Sequence, residues 1–185
     1  MTNLQIMKYA KSQSVLVHNI SIESAEKIVA LLAKEKEKGA HIRIRTFITD
    51  TGAERRELAM QMEVGDILVT TALGSRGMDA RLSRLVLGAG GLVVIILDPP
   101  PHLRLELQEF GRAGRKGESG MGFMILLLSD IEALIGKSLS GLSDQEVIKQ
   151  WPTERERNVK SQLDTFEAKQ LPQIRLRGNF IVLFK

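Results

Sequence analysis

Leu92-Val-Val-Ile-Ile-Leu97 is an unbroken apolar run rich in β-branched residues, entered from Gly90-Gly91 and left through Asp98-Pro99. It falls far below the roughly 18 to 20 residues that span a bilayer, and between turn residues it reads as a strand covered on both faces. Strands of that kind build parallel sheets, and the flanking sequence supplies more of them. Phe123-Met-Ile-Leu-Leu-Leu128 is a second apolar run, residues 66–71 and 15–20 are further strands, and residues 42–48 alternate. Between them lie helical segments. Residues 21–38 carry Ile22, Ala25, Ile28, Val29 and Leu32 at helical spacing with Gly39 as the stop, and residues 53–62 read as a short charged helix after Asp50-Thr-Gly52. At least five strands alternating with helices predict an α/β fold, a doubly wound and mostly parallel sheet with helices on both faces.

Composition sets the frame for that fold. With 185 residues, 43% of them hydrophobic, the chain can bury a sizeable core, and it divides into a domain at 1–136 and a mainly helical appendage at 137–185. The N-terminus lacks a signal-peptide pattern, so a cytoplasmic location is expected, with a membrane-peripheral one as the alternative. The absence of cysteine excludes disulfides and thiolate metal sites. The net charge of +4 is spread evenly along the chain, and aromatic residues make up only 4% of it. Both weigh against a broad basic, stacking platform for single-stranded nucleic acid.

In doubly wound sheets ligands gather beyond the carboxyl ends of the strands, which directs attention to the residues just after each strand. After residues 66–71 comes Thr71-Ala-Leu-Gly-Ser-Arg76-Gly77-Met-Asp79, a hydroxyl, a flexible glycine and a carboxylate close together. Gly77 lets backbone approach a ligand, and Asp79 offers an acceptor for ribose hydroxyls. The second loaded stretch is Gln108-Glu-Phe-Gly-Arg-Ala-Gly-Arg115, expected as a helix directed toward the same edge. Helical spacing would set Gln108, Arg112 and Arg115 on one face, with Gly111 and Gly114 leaving the ground beside them bare. Arginine suits phosphate because its planar fork stays charged and donates several hydrogen bonds.

Thr71-x4-Arg76-Gly77-x-Asp79 resembles motif V of superfamily-two helicases and translocases, and Gln108-x2-Gly111-Arg112-x-Gly114-Arg115-x-Gly117 resembles their motif VI. Within that superfamily the match is closer to the SecA family of protein-translocating ATPases. Val15-Leu-Val17 with Ile20-Ser-Ile-Glu23, Gly90-Gly-Leu92-x-Val94-Ile95 and Gly111-Arg-Ala-Gly-Arg115 carry it, over about residues 13–136. The resemblance implies a RecA-like second motor domain. Arg112 and Arg115 would be arginine fingers on the γ-phosphate side of ATP, Gln108 would orient that helix or the nucleotide, and Gly77 and Asp79 would line the nucleotide cleft. Thr71, grouped with Gly111 and Gly114 among the nucleotide-binding positions, would face the moved strand in a nucleic-acid helicase and serve the fold and interdomain coupling in a SecA-like protein. ATP would be the cofactor, with Mg²⁺ held mainly by a first RecA-like domain supplied in cis or in trans. The implied partners are an unfolded polypeptide and a Sec-type membrane channel. Two alternatives stand beside this one: the C-terminal RecA-like domain of an RNA or DNA helicase, whose partner is nucleic acid, and a non-catalytic nucleotide-binding remnant. The departure Asp98-Pro-Pro-Pro-His102 is closer to helicases than to SecA, and Gln-x-x-Gly-Arg-Ala-Gly-Arg also occurs in DEAH-box helicases.

Other signals have plainer readings. Gly136-Lys-Ser138 resembles the end of a P-loop, but the required earlier glycine is Ile131. The chain is therefore expected to hydrolyse ATP negligibly by itself. His18, His41 and His102 lack metal-binding spacing, and no metal site is expected. Helices are expected at 144–151 and 154–170, separated at Pro152, with Thr153-Glu-Arg-Glu-Arg157 starting a solvated one. Residues 174–184 read as a strand or hairpin turning at Gly178-Asn179.

Overall fold

The computed structural model of the protein describes residues 2–49, 61–72 and 80–169. Residues 53–60 of the expected helix at 53–62, the candidates Gly77 and Asp79, and the expected strand or hairpin at 174–184 lie outside the described residues; Met62, expected to end that helix, forms an isolated parallel bridge with Leu82 instead.

The strands are β1 (Ser14–Asn19), β2 (Arg43–Phe47), β3 (Asp66–Thr71), β4 (Leu92–Ile96) and β5 (Gly120–Met124). They form one sheet in the order β2-β3-β1-β4-β5, and every neighbouring pair is parallel. The described helices are α1 (Thr2–Ala10), α2 (Ile22–Glu37), α3 (Arg84–Gly88), α4 (Leu103–Phe110), α5 (Leu128–Ile135) and α6 (Asp144–Lys169).

Strand alternation divides the core. Val15, Val17, Ile67, Val69, Val93 and Ile95 pack with Ile6 and Ala10 of α1 and with Ala25 and Leu32 of α2. Leu16, Leu68, Leu92, Val94 and Ile96 point the other way, toward Phe47, Met62 and Ala113, with Ala80, Leu82 and Phe110 partly buried beside them. Each fully buried aliphatic side chain contributes roughly 1.5–3 kcal/mol, so a strand needed on both faces must be apolar throughout. That explains the unbroken run in β4. Ser21 starts α2 by accepting the Ser24 N–H at 3.0 Å, and Gly39 ends the turn after it at φ 95°.

The fifth strand was expected at 123–128 but runs from Gly120 to Met124. A Cβ at Gly120 would lie 1.6 Å from the Ala113 carbonyl oxygen, and one at Gly122 would lie 2.6 Å from the Phe110 ring. Bare backbone, not apolar side chains, lets β5 lie under the chain that precedes it. The apolar run instead ends β5 at Phe123 and Met124 and leads to Leu128 at the start of α5, and Leu126 packs with Ile131, Ile135, Leu139, Val147 and Trp151 in a third cluster.

α6 is continuous through Pro152, where a break between two helices was expected. Proline leaves the Ile148 carbonyl without its helical donor, but Ile148 is 68% exposed, so water can meet it. On either side, Trp151 and Arg155 are buried against the domain and hold the helix in register. Arg155 thus corrects the expectation of a solvated run at 153–157. α1 was not foreseen, because among residues 4–10 only Ile6 and Ala10 are fully buried.

Candidate functional site

β4 leaves the sheet at Asp98, whose carboxylate accepts the Ile20 N–H at 2.7 Å and the Ser24 hydroxyl at 3.3 Å. That pair of bonds ties the exit of β4 to the start of α2, where the connections from β1 and β4 diverge. After the prolines, His102 Nδ1 accepts the Leu105 N–H at 3.1 Å and caps α4. α4 then runs antiparallel to the strands, so its last residues and the loop after it arrive where β5 begins.

α4 ends at Phe110, with Gly111 as its C-cap donating to the Leu107 carbonyl at 2.9 Å. Arg112 comes next in a turn, and Arg115 opens a short 3₁₀ turn that closes at Gly117, φ 79°. The expected shared helical face is therefore corrected. Gln108 is exposed on α4, Arg112 is turned inward and only 5% exposed, and Arg115 is intermediate. Of the two glycines expected to clear the helix face, Gly111 ends the helix and Gly114 precedes the 3₁₀ turn.

Glu109 is the buried partner of the loop. The Nε–H of Arg112 donates to Glu109 Oε2 at 2.9 Å, and both side chains are almost fully buried. His18 Nδ1 lies 3.4 Å from the same oxygen without hydrogen-bond geometry. Burial pushes the His18 imidazole below its ordinary range; Glu109 opposes this and the Arg112 charge adds to it. A neutral ring therefore abuts the Glu109–Arg112 pair.

Arg112 and Arg115, with Leu16, Ala80, Leu82, Leu92 and Glu118, line a recess on the sheet face. It encloses only about 10 Å³, space for no more than a water, so an anion meeting these arginines would sit over its mouth. Ala80, which follows Asp79 in sequence, and Leu82 are the neighbours of the arginines on this side. Thr71 ends β3 and is 2% exposed, with its hydroxyl donating to the Ile48 carbonyl at 2.8 Å. Leu92 is the first residue of β4 and Thr71 the last of β3. The arginines therefore stand over a sheet face beside Leu92, at the amino end of β4, because α4 carries the chain back from the carboxyl ends of the strands. Gly111 and Gly114 are exposed beside them.

Gly136-Lys-Ser138 is a helix stop. Gly136 is the left-handed cap of α5 at φ 66°, Lys137 pairs with Glu154 at 3.1 Å, and the Ser138 hydroxyl bonds Glu132 at 3.0 Å. A P-loop needs the start of a helix at that point. Sequence reasoning missed Glu109 and His18. The three-residue spacing of Glu109 to Arg112 was a signal, but the exposed Leu107 on the same short helix, 61% accessible, masked which face is buried.

Residues 2–117 match the family described as Helicase conserved C-terminal domain. The chain belongs to that family. This helicase C-terminal domain is also similar to protein translocase subunit SecA of Maridesulfovibrio salexigens, 32% identical over 143 residues that cover 75% of this chain and 16% of that protein. SecA of Thermosipho africanus is 32% identical over 126 residues, 66% of this chain and 14% of that one. The domain thus spans about one sixth of the length of these curated relatives. Domain 2 of the DEAD-box helicase Mss116p, solved bound to an RNA duplex, has the same fold: TM-score 0.52 at 19% identity, over 90% of this chain and 69% of that one. The expected RecA-like α/β architecture of a superfamily-two helicase C-terminal domain therefore holds. Among the described residues no helix is long and apolar enough to cross a membrane.

Proposed function

We propose that this helicase C-terminal domain is the second motor domain of a SecA-like ATPase. A first RecA-like domain, in cis or in trans, grips ATP and most of the Mg²⁺ coordination, and this chain closes over it with Arg112 and Arg115 toward the γ-phosphate. The supporting observation is the recess that sets both arginines beside Ala80, next to the segment that carries Gly77 and Asp79. Two planar cations at one mouth fit the donor needs of a triphosphate, whose charge redistributes as the terminal phosphoryl group is transferred. Arg112 is oriented in advance by Glu109, so little reorganisation is needed when phosphate arrives. Arg115 is the more exposed of the two and reaches into the cleft.

In the same proposal Asp79 bonds the ribose or an arginine, Gly77 admits the nucleotide, and Gly111 and Gly114 keep the approach open. Gln108 contributes from the exposed side of α4, and Thr71 couples the strand end to the neighbouring domain. Bound ATP supplies the free energy of hydrolysis. Residues 1–136 form the motor domain and 137–185 its appendage, acting at the cytoplasmic face of a Sec-type channel on an unfolded polypeptide. The SecA relatives support that choice of polymer.

The test combines the chain with a separately produced P-loop domain of a SecA relative and measures Mg²⁺-dependent ATP hydrolysis. An unfolded polypeptide is expected to stimulate it. Stimulation by single-stranded RNA or DNA instead would make the polymer nucleic acid, and no hydrolysis with the first domain present would leave a non-catalytic module.

A further inference from the structure

α6 lies beyond the residues that match the helicase family, yet it holds the front of the helix that leads to the arginine loop. Arg155, 1% exposed, donates from Nη1 to the Pro100 carbonyl at 3.2 Å and to Glu106 Oε2 at 2.8 Å. Its guanidinium also lies 4.6 Å from the centre of the Trp151 ring. Next to it, Glu156 accepts the Leu103 N–H at 2.8 Å. Leu103 is the first residue of α4, and the first N–H groups of a helix have no partner within it. A carboxylate from α6 therefore caps α4 from outside and meets the positive end of its dipole. Asn158 adds a fourth bond, from Nδ2 to the Leu134 carbonyl of α5 at 2.8 Å.

These contacts specify a position and do more than cover apolar surface. A buried guanidinium is costly unless its bonds are made, so α6 can seat Arg155 only where Pro100 and Glu106 stand ready. α4 has eight residues and is about 12 Å long. At its far end the chain continues in bonded turns: Gly111 N–H to Leu107, Arg112 N–H to Glu109 and Ala113 N–H to Phe110. The backbone bonds leave no unbonded hinge between the front of α4 and Arg112.

We propose that Arg155 and Glu156 are positioning residues for Arg112 and Arg115, so that α6 sets the place from which the arginine loop meets phosphate. The catalytic consequence rests on the proposed phosphate role. The mechanical link does not, and it can be measured without nucleotide.

Amide hydrogen exchange of the full chain would be compared among wild type, Glu156→Gln and Arg155→Lys. Glu156→Gln is expected to speed exchange about tenfold at both 103–105 and 111–113, because a charge-assisted cap is replaced by a weaker neutral one. Amides of β1 and β3, and emission from Trp151, the only tryptophan, are expected to stay unchanged. Arg155→Lys is expected to give the same pattern with altered Trp151 emission. Acceleration confined to 103–105, uniform acceleration that includes β1 and β3, or no acceleration at all would each overturn the proposal. Should Arg155→Lys fail to fold, Glu156→Gln carries the test, since the Glu156 side chain is 48% exposed. Failure of ATP hydrolysis with a first domain would leave this result untouched.

Discussion

Replacing Gly120 by alanine strikes the contact that seats the arginine loop on the sheet. The new Cβ would lie 1.6 Å from the Ala113 carbonyl oxygen, 2.3 Å from its carbon and 2.9 Å from its Cα, all of them backbone atoms that cannot rotate away. Ordinary contact begins at 3.4 Å, so the two chains must separate by 3.4 minus 1.6, or 1.8 Å. Gly120 is paired with Leu92 in the sheet, so the loop is the part that yields. A shift of that size would lift the loop off the sheet together with the Arg112–Glu109 pair, which the bonded turns at 111–113 hold as one piece. Overpacking costs about 1–3 kcal/mol, and a collision between backbone atoms lies at the upper end, about 3 kcal/mol. With a urea slope of about 2 kcal/mol per molar, the unfolding midpoint followed by Trp151 fluorescence should fall by about 1.5 M. Gly117→Ala is the control. It adds backbone strain at φ 79° but meets nothing within 4 Å, and should cost about 1 kcal/mol. A Gly120→Ala midpoint no lower than that of the control would refute the reasoning.

His18 gives a pH dependence of known sign. Its folded pKa lies below the unfolded value of 6.5, chiefly through burial, so the unfolded chain binds the proton more readily. Stability is then fully present above about pH 6.5 and declines as pH falls below it, a slope that His18→Gln should flatten in urea midpoints measured across that range. Asp98→Ala removes the acceptor for both Ile20 and Ser24 and should cost about 1–2 kcal/mol, with Asp98→Asn recovering part of it; equal midpoints for all three would contradict the bonding.

The sheet was legible because its central strands are buried on both faces. The runs at 15–20, 66–71 and 92–97 can be little else, and Ser21 and Gly39 marked the ends of α2 by their chemistry. β5 was misplaced because glycine carries no hydrophobic signal. What makes Gly120 and Gly122 strand residues is a close approach from Ala113 and Phe110, and that is a tertiary fact. Pro152 misled in the opposite direction, since a local helix breaker was outweighed by Trp151 and Arg155 anchored on either side of it. At the candidate site, the spacing of the arginines and glycines identified the loop but not its shape. Glycine at 111 ended the helix one residue before Arg112, and Glu109, whose charge carries no burial signal, is its buried partner.

The central claim is that the loop arginines meet phosphate held by another domain. Its most direct measurement is Mg²⁺-dependent ATP hydrolysis by the chain combined with a P-loop-bearing first domain, with and without Arg115→Gln. The account predicts negligible hydrolysis by the chain alone, hydrolysis by the pair, and a loss of about 10³-fold or more in kcat on the substitution. Robust hydrolysis by the isolated chain, or a pair whose rate is unchanged by Arg115→Gln, would contradict it.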